Sequence, residues 1–270
     1  MILFPNAKIN IGLNITEKRS DGFHNLETIF YPVSLTDVLE FVPVKKRETC
    51  ITNTGIEVDD NKNNLCIKAY YLLKQKYDLP VLDIHLHKII PIGAGLGGGS
   101  SDGAFILKAL NEYFNLNIDF ETLTDYVSKL GSDCPFFLHS KPLYASEKGD
   151  KFEETGLSLK GYNVVIIYPG IFVSTAEAYS GVIPVKPDIS IKEIVKTPIV
   201  EWKDVLKNDF EESVFISYPE IKNVKEMLYS SGAVYASMSG SGSAVYGLFS
   251  KKPDLSELQS NYFVWEGILN

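Results

Sequence analysis

Cysteine is scarce: Cys50, Cys66 and Cys134 are the only three in 270 residues, odd in number, widely spaced and without a C-x-x-C pair. Neither a disulfide scaffold nor a structural zinc site is suggested, and a reducing cytoplasm is the expected surrounding. Positive charge is short as well. Against 34 Asp+Glu stand 26 Lys+Arg, a net charge of −8, with no dense basic stripe. Such a chain lacks the footprint that neutralises nucleic-acid phosphates or holds a protein on anionic lipid, so neither nucleic acid nor a membrane is expected as a partner. Long apolar runs are missing too. Ile89 to Leu96 and Asn163 to Pro169 fall far short of the roughly 20 residues that span a bilayer. Met1 to Pro5 is too short for a signal-peptide core and carries no basic residue before it. A soluble, unprocessed chain is expected, and its 45% hydrophobic content is enough for a real core in one large domain or two modest ones.

Residues 6–17 alternate Ala7, Ile9, Ile11, Leu13 and Ile15 against Lys8, Asn10, Gly12, Asn14 and Thr16, which is strand periodicity. Lys8 and Asn10 share the polar face. Turn residues at 19–24 interrupt, and Leu26 to Val44 reads as one or two further strands. Asn64 caps a helical pattern through Leu65 and Leu73. Leu82 to Lys88 alternates again and runs into a glycine-rich loop and a helix. Another helix near Glu121 to Leu130 ends at Gly131; Asp133 then sits just before Pro135, which suits the first turn of a short helix.

A soft boundary falls in the polar stretch 145–160, giving domains 1–152 and 153–270. The second half reads as a strand at Tyr162 to Tyr168, helices at Ser190 to Val195, Glu201 to Ile216 and Glu220 to Ser231, then strand, glycine turn and strand over 233–249, and a last strand at Tyr262 to Gly267. Strands and helices segregate without regular βαβ alternation, so the fold class is α+β.

Pro91-Ile-Gly-Ala-Gly-Leu-Gly-Gly-Gly-Ser-Ser101 places five glycines in seven positions, 93–99, directly before a helix. Glycine lets backbone N–H groups turn towards a phosphate, and the helix N-terminus adds partial positive charge, so the loop can hold an anion without basic side chains. The Ser100 and Ser101 hydroxyls add polar reach. A Walker A reading fails, because Gly99 stands where lysine is required. A dinucleotide fingerprint is literally present at Gly93, Gly95 and Gly98, with Asp119 beyond it. Yet Asp119 lies in too short an apolar stretch for a buried parallel strand and reads as the approach to the next helix.

The loop resembles the phosphate loop of the GHMP small-molecule kinases, which include galactose, homoserine and mevalonate kinases. Ala7 to Ile15 followed by Arg19-Ser-Asp-Gly-Phe-His24, and Gly131-Ser-Asp-Cys-Pro-Phe-Phe137, resemble two signatures of the 4-diphosphocytidyl-2-C-methyl-D-erythritol kinase branch. Ser239-Gly-Ser-Gly-Ser243 resembles its C-terminal glycine loop. The resemblance implies a two-domain GHMP architecture, with an N-terminal ATP-binding domain of ribosomal-protein-S5-like fold and a ferredoxin-like C-terminal domain. It further implies phosphoryl transfer from MgATP to the 2-hydroxyl of the methylerythritol unit of a cytidine diphosphate conjugate, in the non-mevalonate isoprenoid pathway. ATP and Mg2+ are the implied cofactors. Another small-alcohol kinase, homoserine or mevalonate type, and a non-catalytic nucleotide-binding protein are the alternatives.

By the same resemblance Asp133 is the catalytic aspartate, accepting or orienting the proton of the attacking hydroxyl, and Lys8 keeps it ionised and neutralises charge at the acceptor oxygen. Taken alone, the residues leave a helix cap open for Asp133 and a solvated strand lysine for Lys8. Asn10, on the face of Lys8, is placed for substrate; Phe23 and Tyr179 match an aromatic sandwich for the cytosine, His24 a hydrogen-bonding partner of it, and Thr175 a contact to the methylerythritol end or to the aspartate. Core packing is the ordinary use of Phe23 and Tyr179. ATP falls to Asn64, Leu65, Lys88 and the loop residues Pro91, Ile92, Gly93, Ala94, Gly95, Leu96, Gly97, Gly98, Gly99, Ser100 and Ser101. A helix cap, a core leucine and a surface lysine are the ordinary uses of the first three. Phe23 stands where tyrosine is frequent, and Ala94 where glycine is. Cys134 reads as a small core residue, and His85 and His87 as an exposed strand face.

Overall fold

Strand periodicity in the sequence becomes paired strands in the computed structural model, which describes residues 1–58, 63–255 and 262–270. In chain order the elements are β1 (Ile2–Leu3), β2 (Asn6–Lys18), β3 (His24–Thr36), β4 (Val38–Pro43), β5 (Cys50–Gly55), α1 (Leu65–Lys74), β6 (Leu82–Lys88), α2 (Gly98–Tyr113), α3 (Phe120–Ser128), α4 (Phe136–His139), β7 (Leu143–Ser146) and β8 (Lys151–Glu154). They continue as β9 (Asn163–Tyr168), α5 (Thr175–Ser180), α6 (Ile191–Ile194), a 3-10 turn (Ile199–Asp204), α7 (Phe210–Ser217), α8 (Pro219–Ser230), β10 (Tyr235–Met238), β11 (Val245–Phe249) and β12 (Phe263–Ile268). The α+β class holds. Among the described residues no helix is long and apolar enough to cross a membrane.

The chain forms two compact units, and neither is a single stretch of sequence. The first comprises Met1–Ala7, Leu35–Ile92 and Gly97–Ser140; the second comprises Lys8–Ser34, Gly93–Leu96 and Lys141–Asn270. In the first unit a sheet of order β1-β4-β6-β5 is antiparallel except for β5, which runs parallel to β6. Leu82, Ile84 and Leu86 supply its buried face, and Ala69, Leu73, Ile106 and Leu110 of α1 and α2 are buried as well. Burial of that apolar surface, at about 25 cal/mol per Å2, is the main favourable contribution. His85 and His87 point from the opposite face into solvent, as the alternation predicts, and both bond the Thr54 hydroxyl of the adjacent strand.

The second unit holds two sheets, β2-β3-β7-β8 and the antiparallel β10-β11-β9-β12. Val165 and Ile167 of β9, Ala236 and Met238 of β10 and Val245 of β11 form one core with Val214 of α7 and Ile221, Val224 and Leu228 of α8. The single helix expected over Glu201 to Ile216 is broken instead. Asn208 bridges Leu13 of β2 and donates to the carbonyls of Met238 and Gly240, while Asp209 accepts from Ile15 N–H. Those tertiary bonds draw 206–209 out of helical geometry, so only the 3-10 turn and α7 remain.

Candidate active site

The glycine run starts in the second unit. Gly93, Gly95 and Gly97 have φ of +68°, +76° and +72°, the left-handed region that a side chain resists, whereas Ala94 between them does not. Alanine therefore sits, like Leu96, at a position of this stretch where backbone strain does not select glycine, and it is buried there. The carbonyls of 94–96 are engaged: Ala94 O accepts from Ala244 N–H, Leu96 O from Lys8 N–H, and Gly95 O from both Lys8 Nζ (2.8 Å) and Ser239 Oγ (2.9 Å). A Cβ on Gly95 would lie 1.9 Å from the Ser239 carbonyl oxygen, so close approach to the C-terminal glycine loop demands glycine. That loop, matched from sequence as a motif, acts here as an anchor for the first.

Lys8 lies on β2 with its polar-face neighbours Asn10 and Asn14, yet all three are buried, Lys8 to 3% exposure. The alternation identifies the face correctly but not its burial. Lys8 Nζ donates to Asn10 Oδ1 (2.6 Å) and stands 5.1 Å from the Phe30 ring centroid. Asn10 in turn donates from Nδ2 to Thr28 Oγ1, whose hydroxyl donates to Gly12 O. Asn10 thus orients the ammonium of Lys8, a role additional to the substrate contact expected of it. Side chains kept in one rotamer by such chains of hydrogen bonds lose little freedom on meeting a ligand.

His24 stacks on Tyr179, with centroids 4.8 Å apart and planes at 26°, and Tyr179 meets Phe210 edge-on. Phe23 is 59% exposed, with Lys148 Nζ 5.3 Å from its ring centroid. Burial, with the Lys18 charge nearby, lowers the His24 pKa below the usual imidazole range, which favours the neutral ring at neutral pH. Thr175 opens α5, exposed, beside Ser174, whose hydroxyl caps the helix at Glu177 N–H.

In the first unit, Gly97 in the left-handed conformation stands at the N-cap of α2, followed by Gly98, Gly99 and Ser100. No side-chain cap bond is made there, so the first N–H groups of the helix have no side-chain partner from the N-cap residue. Asp133 precedes α4, half-buried, its carbonyl accepting from Phe136 N–H. Burial pushes the Cys134 thiol up to about 11, so it is inert as a nucleophile, the small core residue expected. Asn64 caps α1 by accepting from Cys66 N–H, and Asp119 caps α3 at Thr122 N–H. The second cap disposes of the dinucleotide reading, since that carboxylate heads a helix and does not end a strand. Pro91 is buried, and Ile92 and Gly99 are exposed. Lys88, expected at the phosphates, is buried to 3% exposure and bonds Asp37 and Asp102. Neither aspartate was singled out from sequence. One signal was available: Lys88 continues the Leu82, Ile84, Leu86 face, and a lysine in phase with a buried face needs carboxylate partners.

Residues 64–141 match the GHMP kinases N terminal domain, and residues 190–263 the GHMP kinases C terminal domain. A 4-diphosphocytidyl-2-C-methyl-D-erythritol kinase of Bacteroides fragilis is 52% identical over 96% of this chain and 95% of its own length. Its counterpart in Parabacteroides distasonis is 51% identical over 100% of both. A crystal structure of 4-(cytidine 5′-diphospho)-2C-methyl-D-erythritol kinase, 33% identical, superposes with a TM-score of 0.85 over 100% of this chain and 99% of the other. The Methanococcus jannaschii mevalonate kinase, at 17% identity, shares the fold with a TM-score of 0.75 over 100% and 98%. The chain belongs to the 4-diphosphocytidyl-2-C-methyl-D-erythritol kinase family of GHMP kinases.

Proposed function

We propose that this chain is a cytoplasmic enzyme that transfers the γ-phosphoryl group of MgATP to the 2-hydroxyl of 4-(cytidine 5′-diphospho)-2-C-methyl-D-erythritol. The observation that carries the reading is identity of 51% over the full length of a kinase with that acceptor in its name. The glycine run supports it, because a loop whose carbonyls are tied back and whose helix terminus is uncapped suits phosphate oxygens. Asn64, Leu65 and the loop residues Pro91 to Ser101 take the nucleotide. The stacked His24 and Tyr179, with Phe23 beside them in sequence, take the pyrimidine; Asn10 and Thr175 face the methylerythritol end.

Among the described residues no three carboxylate, histidine or cysteine side chains converge on a metal position. A bound Mg2+ would neutralise phosphate charge. In the reaction the 2-oxygen forms a bond to the γ-phosphorus as the bond to ADP breaks, and the hydroxyl proton passes to the Asp133 carboxylate. Lys8 supplies positive charge beside the acceptor oxygen. Little covalent help is needed, so positioning and charge suffice.

A coupled assay for ADP release tests this with the cytidine conjugate, free methylerythritol, homoserine and mevalonate. Turnover of the conjugate alone is expected, and turnover of homoserine or mevalonate in its place would overturn the acceptor. Asp133→Asn should lower kcat by about 10^2 to 10^4 while ATP still raises the melting temperature. Unchanged turnover would defeat the role given to Asp133.

A further inference from the structure

Beneath the first turn of α2 lies a buried cluster of three charged groups. Lys88 Nζ donates to Asp37 Oδ2 and, over 3.0 Å, to Asp102 Oδ2. Asp37, in the bend between β3 and β4, also accepts the N–H groups of Ile89 and Ile90 at Oδ1, over 2.5 and 2.9 Å. Both of its oxygens are engaged. Asp102, on α2 and 2% exposed, uses only one: Oδ1 is buried without a hydrogen-bond partner, and so is the hydroxyl of the adjacent Ser101. The titratable groups that face Asp102 are Asp37, Lys88 and the Cys66 thiol of α1, itself held neutral by burial.

Two carboxylates against one ammonium leave an excess negative charge in a dry place, which is costly. The cost falls on Asp102. Burial raises its carboxyl to about 7, against the pull of Lys88 and with Asp37 adding to the rise. The cluster also touches the helix terminus, since a Cβ on Gly98, the first residue of α2, would stand 2.7 Å from Lys88 Nζ. Asp102 lies four residues further, about 6 Å along the axis, inside the range over which charges act on one another with little screening when buried.

We propose that Asp102 is a positioning residue for nucleotide binding: it takes a proton from solvent onto Oδ1 as the phosphates arrive at α2, so that the cluster passes from one excess negative charge to neutrality. The proposal rests on the glycine loop being the nucleotide site. Protonated, Asp102 no longer repels the incoming anion, and Lys88 is balanced by Asp37 alone. No covalent step is involved, and the proton returns to solvent when nucleotide leaves. Nucleotide affinity then weakens as pH rises past neutrality, because the proton must be drawn from a poorer supply.

Calorimetric titration of the full chain with the Mg2+ complex of β,γ-imido-ATP, at pH 7.5 in buffers of different ionisation enthalpy, counts the protons taken up. A one-unit rise in pKa straddling that pH corresponds to about half a proton per nucleotide. Asp102→Asn has the same size and keeps an acceptor for Lys88 but cannot titrate, and proton changes on the ligand cancel between the two proteins. The wild type should take up about half a proton more than the variant, and it alone should lose affinity several-fold between pH 6.5 and 8.5. Equal proton counts with nucleotide bound would overturn the proposal and leave the loop reading standing. If Asp102→Asn fails to fold, the infrared difference spectrum of the wild type decides: a protonated-carboxyl band gained on nucleotide addition supports the proposal, and no such band defeats it. The loop reading fails separately if Ser100→Asp, a carboxylate on the first turn of α2, leaves affinity unchanged.

Discussion

The two halves of the glycine run are held in place by opposite means. Residues 93–96 are anchored through their own backbone, whose carbonyls accept from Ala244, Lys8 and Ser239. Residues 97–102 form a regular helical start and are anchored from beneath by the charges of Lys88, Asp37 and Asp102. Glycine gives up more conformational entropy on folding than any other residue, so a run of five needs external fixing to present a rigid surface. The first half achieves this by close approach, which forbids side chains but is indifferent to charge. The second tolerates side chains at most positions but depends on a buried charge count.

The largest effect should come from breaking that count. Lys88→Met leaves two buried carboxylates facing each other and should destabilise the protein by about 3–5 kcal/mol, read by denaturant or thermal melting. Adding Asp102→Asn should recover part of the loss, because one of the stranded carboxyls is then neutral at every pH. The pH profile carries the sign. Asp102, ordinarily at 3.8, is raised to about 7 in the folded chain, so between those values the folded protein holds a proton that the unfolded chain has released. Its contribution to stability is therefore full below the lower value and declines as pH rises through the window. Asp102→Asn should flatten that decline; an unaltered slope would show that the buried charge is managed elsewhere.

Next in size is the close approach. Gly95→Ala puts a Cβ 1.9 Å from the Ser239 carbonyl oxygen and 3.2 Å from that of Gly242, both backbone atoms that cannot step aside, at a φ of +76°. A loss of about 3 kcal/mol is expected, or roughly 6–12 °C in Tm. Gly99→Ala, with nothing within 4 Å and no positive φ, is the control in the same run; it should stay within about 0.5 kcal/mol of wild type. If the two behave alike, close approach does not distinguish the halves.

The sequence made the first half easier to read than the second. A glycine pattern announces a backbone site, strand alternation located β2 and β6, and short apolar runs bounded by turn residues located β9, β10 and β11. Buried charge leaves a fainter trace. Lys88 is in phase with Leu82, Ile84 and Leu86, and Asp102 with Ile106 and Leu110 on α2, but the phase alone does not show that the two meet. Strands β5, β7 and β8 are short and partly polar, so they are defined by the neighbours they pair with. The same dependence on distant partners broke the helix at Asn208 and stacked His24 on Tyr179. Contacts between residues far apart in the chain have no local signature.

The smallest effect tests whether the anchoring hydroxyl or the backbone contact governs the first half. Ser239 Oγ donates to Gly95 O and accepts from Asn10 N–H over 3.3 Å. Ser239→Ala removes both bonds but leaves Lys8 Nζ donating to the same carbonyl, so Gly95 O is not orphaned. About 1 kcal/mol should be lost, a Tm shift of roughly 2–4 °C, with KM for ATP raised about two- to fivefold and kcat nearly intact. The split between KM and kcat carries the distinction. A loosened loop binds phosphate less well but still brings the same groups to the bound nucleotide. A stability loss as large as that of Gly95→Ala, with kcat falling alongside it, would mean instead that the hydroxyl sets the loop geometry through Asn10 and Lys8, and that the close approach follows from it.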